Sequence, residues 1–384
     1  MQPISFPEFS FNSPLAKVVI ELERLRGDLG AGTTDQIVFS QLKSVFQLMT
    51  SIMSARIEGN RTSIVDAVEG AARAQVNPHA NPSDGVQEIL LLQKAAAFID
   101  EVVSPGTPIT HSLVRELHRI AVSGLVREGD RTPGAYRTTE VSIGGSRHVP
   151  PLPGSVQADM SELLDFINAE AEQSYDLLKV AIAHHRFVWI HPFGNGNGRV
   201  GRLLTYAVMV SQGFSTTTNY RALNPTAVFG ADRTNYYRML ERADSLETGA
   251  IVDWCTYLLE GLRDDLEKLK QLGDRKFVTE RLLLPAITKA TRSGAIDVQQ
   301  SEVLGLLARQ TEIKPQDIQH IFVGSAARRS QGIRKMLDQR LIEPIADGKR
   351  SYRLVMAPGP LTSFVIRQLD DLGFLPSILR DDFA

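Results

Sequence analysis

The sequence has a single cysteine, Cys255, in 384 residues, which excludes an intramolecular disulfide framework. It has no apolar run near the roughly 18 to 20 residues that a membrane-spanning helix needs. It has almost no net charge: 42 Lys and Arg stand against 44 Asp and Glu, for a formal −2. That balance excludes bulk attraction to nucleic acid or to anionic membrane, so such a partner needs a local patch. Residues 1–15 (MQPISFPEFSFNSPL) lack the basic stretch and apolar run of a signal peptide. No internal repeat and no low-complexity segment stands out. The expectation from these absences is a soluble cytoplasmic protein with no membrane partner. What is present is a 43% hydrophobic composition, enough for a sizeable core in two or three domains.

The periodicity is mostly helical. Leu42, Val45, Phe46, Met49, Ile52 and Met53 recur at helical spacing over residues 40–57 and predict one apolar stripe. Glu58-Gly59-Asn60 then breaks the pattern, with Gly59 a C-terminal stop. A loop at 77–85 precedes a helix from about Val86, and another helix is expected over about Ser112–Val122. Thr139–Ile143 reads as a short strand, Gly144-Gly145 as a turn and Arg147–Val149 as the returning strand. Pro150, Pro151 and Pro153 stop that pairing. Segments 174–190 and 197–212 are apolar nearly all round, which marks helices at the centre of a core.

Between those two helices lies His191-Pro-Phe-Gly-Asn-Gly-Asn-Gly-Arg-Val-Gly-Arg202. Its glycines connect two helices and open the second. Gly196, Asn197 and Gly198 can turn backbone N–H groups inward, and with the helix dipole those donors make an anion site suited to phosphate. Arg199 and Arg202, three apart on the following helix, can face the same anion with planar forks. His191 stands just before the nest, placed to take a proton from an attacking hydroxyl. The positive end of the helix dipole is expected to keep it neutral. Gly196-x-Gly198-x-x-Gly201 formally satisfies a dinucleotide fingerprint, but a helix precedes it and residues 214–222 hold no acid. A P-loop stretch is absent from the sequence. His184 and His185 lack the H-E-x-x-H pattern of a zinc site and read as helix residues near the core.

The segment resembles the Fic-family signature His-x-Phe-x-(Asp/Glu)-Gly-Asn-Gly-Arg-x-x-Arg, matched at His191, Phe193, Gly196, Asn197, Gly198, Arg199 and Arg202. The resemblance spans roughly residues 40–270. It implies a mainly α fold: a Fic-type helical core with a small β-hairpin flap, here followed by a C-terminal winged-helix domain. It implies an enzyme that moves AMP from ATP, with Mg²⁺ or Mn²⁺, onto a Ser, Thr or Tyr hydroxyl of a target protein or of itself. His191 would be the base, Gly196 to Gly198 would hold phosphate, and Arg199 and Arg202 the β- and γ-phosphates. Phe193 would be a buried anchor. Tyr236 and Tyr237 look like the family segment near the adenine. Gly134-Ala-Tyr-Arg137 followed by Thr139, Glu140, Val141, Ser142 and Ile143 looks like the flap that docks a target by strand addition. Asn195 stands where the family has Asp or Glu. Its amide oxygen brings no charge to a hard cation, so weaker metal affinity and slower transfer are expected, or a changed reaction.

Ser54-Ala-Arg-Ile-Glu58-Gly59 matches the family's inhibitory pattern, (Ser/Thr)-x-x-x-Glu-(Gly/Asn), N-terminal to the core. Ser54 and Glu58 share a helix face. By resemblance Glu58 pairs with Arg202 in the space of the γ-phosphate. Alternative readings are removal of AMP, transfer of another phosphate group, or a nucleotide- and DNA-binding regulator. After about residue 273 the composition shifts. Residues 328–353 carry Arg328, Arg329, Arg334, Lys335, Arg340, Lys349, Arg350 and Arg353 against Asp338, Glu343 and Asp347. They resemble a winged helix, with a recognition-type helix over 325–339 and a hairpin tip at Asp347-Gly348-Lys349. DNA is one partner for it; a second copy or a docked target is the other. The expected division is 1–110 (helical, with the inhibitory helix), 111–272 (catalytic core) and 273–384 (winged helix and tail).

Overall fold

The structure is a computed structural model that describes residues 3–28, 32–77, 81–214, 226–346 and 349–379. Its first helices are α1 (Pro14–Asp28), α2 (Gln36–Ile57), α3 (Ile64–Val76) and α4 (Asp84–Val102). Next come α5 (His111–Val122), α6 (Val156–Asn168), α7 (Asp176–Ile190), α8 (Asn197–Ser211), α9 (Thr226–Ala231), α10 (Arg233–Ala243) and α11 (Thr248–Leu272). The C-terminal part holds the short α12 (Arg275–Phe277), then α13 (Leu284–Arg292), α14 (Val298–Gln310) and α15 (Ala326–Asp338). Strands β1 (Ile342–Pro344) and β2 (Tyr352–Leu354) and helix α16 (Thr362–Asp371) complete it. Several helices start where a side chain replaces the missing intrahelical acceptor. Asp35, Ser63, Ser83 and Thr110 take the N–H groups of Ile37, Asp66, Val86 and Leu113.

The two helices read as apolar all round, α7 and α8, pack on each other at the centre. α6 and α11 cover α7, and α5 covers α8. Trp254 of α11 is fully buried and donates its indole N–H to the Ala181 carbonyl of α7 at 2.7 Å. The mainly helical expectation holds, and the strongest periodicities fall on the helices they predict.

Helix α2 departs from its expected single stripe. Every residue from Leu48 to Ala55 is buried. α4, α8 and α9 all pack against α2. The C-terminal part closes over the rest. Gln41 donates to Glu343 at 3.1 Å and accepts the Met356 N–H at 2.9 Å. Arg56 donates to the Ile378 carbonyl at 2.8 Å. This enclosed helix buries the small polar residues Thr50, Ser51 and Ser54 among apolar ones, which blurs its amphipathic pattern.

Two further comparisons with expectation concern β structure. β1 and β2 pair antiparallel with Ile342 opposite Leu354, and Ile313 bridges Tyr352, so helix, strand and strand follow in the order read from the residues. The tip at Asp347-Gly348 lies outside the described residues. The expected hairpin over 139–149 is corrected: among the described residues its legs form no ladder, although Ser146 N–H reaches the Ile143 carbonyl at 3.2 Å across the Gly144-Gly145 turn. Arg137 and His148 instead tie the legs to the end of α7.

Candidate active site

The motif loop is shaped by a forced helix ending. His191 closes α7 in the left-handed region, at φ 51°, and Pro192 cannot continue the helix. Asn197 then closes the loop on itself. Its side chain accepts the Phe193 N–H and donates to the Phe193 carbonyl, both at 2.9 Å. Asn197 is thus a buried staple of the loop; its side-chain amide is spent on Phe193, whereas phosphate contact had been expected of it. Phe193 is fully buried and stacks on the His118 ring at 3.7 Å, as an anchor should. Gly196 starts α8 at φ 77°, a position that suits glycine, and a Cβ there would lie 2.7 Å from Val122.

His191 sets its own tautomer. Its Nδ1 faces the Val188 carbonyl at 3.2 Å, where only N–H can be accommodated, so the neutral ring keeps its lone pair on Nε2. Burial pushes its pKa down to about 4, against the opposing bond to Val188, and Arg137 adds to the depression. The neutral, basic form follows mainly from burial, which replaces the dipole argument made from sequence.

Across the cavity, Arg202 is held by the end of α2. Its Nε donates to Ser54 Oγ at 2.9 Å, and its Nη2 donates to the Ser54 carbonyl at 2.9 Å and to Glu58 Oε1 at 2.7 Å. The same Oε1 lies so close over Gly198 that a Cβ there would stand 2.2 Å away. Burial acts to raise the Glu58 pKa, but Arg202, with Arg199 and Arg233, more than offsets it, so the carboxyl titrates below its ordinary value. The resemblance places Glu58 beside Arg202; in the fold Ser54 and the Gly198 backbone meet the same pair.

Arg199 also lines the cavity, but its ends are committed elsewhere. Nη1 donates to Glu88 at 3.1 Å and Nη2 to the Glu128 carbonyl at 2.7 Å. Tyr236 is buried, with its hydroxyl spent on His184 at 2.9 Å, whereas Tyr237 is 41% exposed. Tyr237 is therefore the freer ring for a planar ligand. His184 and His185 are buried core residues, the latter 3.1 Å from Asp244. Ser142, Ile143, His148, Tyr236, Tyr237, His191 and the motif loop together line a cavity of about 760 Å³, within the usual range for small-ligand sites. Thr139, Glu140 and Val141 lead into that rim.

Asn195 does not present a prepared metal ligand. Its Oδ1 accepts the Gly196 N–H at 2.7 Å, and its Nδ2 donates to the Gly129 carbonyl at 3.1 Å. The nearby Asp130 carboxylate is taken up by the N–H groups of Asn195 and Thr132. Among the described residues no group of three or more His, Cys, Asp or Glu side chains could hold a metal ion. The donor set does not fit a resident divalent cation.

Several side chains of the site escaped the sequence reading: Glu88, His118, Asp130 and His148, and Arg137 was read only as part of the flap segment. His118 is fully buried, reaches the Asn195 carbonyl through Nε2 at 3.1 Å and accepts the Gly134 N–H at 2.9 Å. Burial pushes its pKa down to about 4, against the opposing pull of Asp130. Only an acid beside the buried face of α4 (Glu88, among Val86, Ile89 and Leu92) left a readable trace.

The Glu58–Gly198 contact yields a cycle. Gly198→Ala is expected to destabilise the protein by about 1–3 kcal/mol in denaturant unfolding, and by clearly less once Glu58→Gly has removed the clash. Additive effects would place Glu58 away from the loop.

Comparison with known proteins gives consistent results. Residues 108–209 match the Fic/DOC family. The protein adenylyltransferase Fic of Drosophila willistoni is 31% identical over 194 residues, 50% of this chain and 36% of that protein. That of Nematostella vectensis is 30% identical over 162 residues, 41% of this chain and 34% of that protein. The matched stretch thus spans about a third of the length of these curated relatives. A Fic family protein from Desulfovibrio desulfuricans superposes with a TM-score of 0.56 at 19% identity, covering 91% of this chain and 98% of that one. A Fic-domain signalling protein from Bacteroides thetaiotaomicron gives 0.53 at 21% identity, over 68% and 97%. These two share the fold.

Proposed function

We propose that this chain, whose residues 108–209 match the Fic/DOC family, is an autoinhibited protein adenylyltransferase. Its substrates would be ATP and a Ser, Thr or Tyr hydroxyl of a target protein or of the chain itself. The observation that carries this is the Glu58 carboxylate, 2.7 Å from Arg202 and packed over Gly198, opposite a neutral His191.

In the active arrangement His191 Nε2 takes the proton of the target hydroxyl. The hydroxyl oxygen attacks the α-phosphorus, the bond to the β-phosphate oxygen breaks, and pyrophosphate leaves with the proton on His191. The N–H groups at the start of α8 face the phosphates. Arg202 Nη1, buried and without a hydrogen-bond partner among the described residues, is the donor held in reserve for the terminal phosphate. Mg²⁺ or Mn²⁺ is expected for the family, but the residues present do not make a site for it, and no step is routed through it. With Glu58 in place the terminal phosphate is displaced, and misplacement of the α-phosphate by about an ångström costs roughly a hundredfold in rate.

Phosphate labels on ATP test this. Label from the α position should appear on protein, more strongly for Glu58→Gly by about tenfold or more, and not at all for His191→Ala. With His191 titrating near 4, the Glu58→Gly rate should hold steady from pH 7 to about 5.5, because the base is lost only as pH falls toward that value. Label from the γ position would indicate transfer of another phosphate group. An unchanged Glu58→Gly rate would remove the inhibitory role.

The C-terminal part, from the break at Gly273 onward, is proposed to be a winged-helix unit. α15 exposes Arg328 and Arg334, while Lys335 pairs with Asp297 at the start of α14 at 2.9 Å; the two exposed arginines suit a groove-entering helix. Duplex DNA should bind with a log K that falls linearly with log salt, and Arg328→Ala with Arg334→Ala should lower that slope by about 2. No salt-dependent binding would leave this face to a target protein or a second copy.

A further inference from the structure

The end of the catalytic helix is capped by the flap. A helix leaves its last carbonyls without intrahelical partners, and a C-terminus near the core must find donors for them. Here the donors come from outside the motif. The Trp189 carbonyl takes His148 Nε2–H at 2.8 Å. The Ile190 carbonyl takes Arg137 Nη2 at 3.3 Å, and the His191 carbonyl takes Arg137 Nε at 2.8 Å. The Pro192 carbonyl takes the Arg137 backbone N–H at 2.9 Å. The same guanidinium also reaches both legs of the flap, at Thr139 O (3.2 Å) and Pro151 O (2.6 Å). Arg137 is 5% exposed, and the His148 ring lies against Trp189 with centroids 4.9 Å apart.

We propose that Arg137 and His148 are positioning residues that fasten both legs of the flap to the C-terminus of α7, so that a target docked on 139–143 and the His191 ring keep one fixed separation. The inference rests on the reading of His191 as base and of the flap as the docking edge. The residue types follow from the geometry. One planar fork spans four carbonyls, which a lysine's point charge cannot do. His191 sits in a left-handed conformation that a side-chain-bearing residue adopts only when its surroundings hold it there. The flap legs, lacking a ladder of their own among the described residues, have this seam in its place.

The test uses the full chain carrying Glu58→Gly. Arg137→Lys keeps the charge and loses the fork. His148→Phe keeps the ring and loses the donor, and His148→Gln keeps a donor. Three readouts are taken: amide exchange over 139–149 and 188–192, ATP affinity by calorimetry, and α-phosphate label on protein. Arg137→Lys and His148→Phe should exchange faster over those two segments only and keep ATP affinity within about twofold. They should lose about ten- to a hundredfold in transfer. His148→Gln should restore both exchange and transfer. Unchanged exchange in His148→Phe, or a transfer loss matched by an equal loss of ATP affinity, overturns the proposal. If the Glu58→Gly reference transfers no label, the transferase reading fails, while the exchange measurement still decides whether the seam holds the flap to α7.

Discussion

The pairing of Arg202 with Glu58 over the Gly198 backbone is the interaction around which the site is organised. Arg202 is almost wholly buried, and a guanidinium taken out of water is stable only where its donors are met. Ser54 and Glu58 meet Nε and Nη2, and each hydrogen bond to a charged group contributes about 1.5–3 kcal/mol. The depressed Glu58 pKa sets the pH window. The pair is intact above the ordinary carboxylate value and is lost only as pH falls through the lower folded-state value, so neutral pH does not loosen it. A group that displaces Glu58 from Arg202 has to bring its own negative charge.

The rest of the fold holds the partners of that pair in register. α8 carries Arg202 from the centre of the core, packed on α7, which ends at His191. α2 brings Ser54 and Glu58 from outside the motif and is gripped along its length. Gln41 ties its start to Glu343 and Met356 near β1 and β2, and Arg56 ties its end to the Ile378 carbonyl. The Glu58 carboxylate is therefore attached, through α2, to the C-terminal part of the chain.

What could be read in the sequence was what short-range pattern encodes. The apolar segments of α7 and α8, the glycine opening at 196–198, and the four-residue step from Ser54 to Glu58 each follow from one local rule. The site's remaining chemistry depends on contacts between distant segments. Glu88 meets Arg199, His118 meets Asn195 and Gly134, and Arg137 meets the carbonyls at the end of α7. No local pattern announces such pairs. Two of the places where expectation and structure part have the same cause. Asn197 and Arg199 looked free for phosphate because their neighbours in sequence leave them free, whereas Phe193, Glu88 and Glu128 claim them in three dimensions. The flap hairpin was sought as a ladder, but its backbone is fastened to α7 by side chains.

The most direct measurement is calorimetric binding of ATP and ADP to the wild type and to Glu58→Gly. If Glu58 fills the place of the terminal phosphate, the wild type binds the two nucleotides about equally, and Glu58→Gly gains about tenfold or more for ATP but little for ADP. A wild type that already prefers ATP over ADP as strongly as Glu58→Gly would contradict the account, because the carboxylate over Gly198 would then exclude nothing.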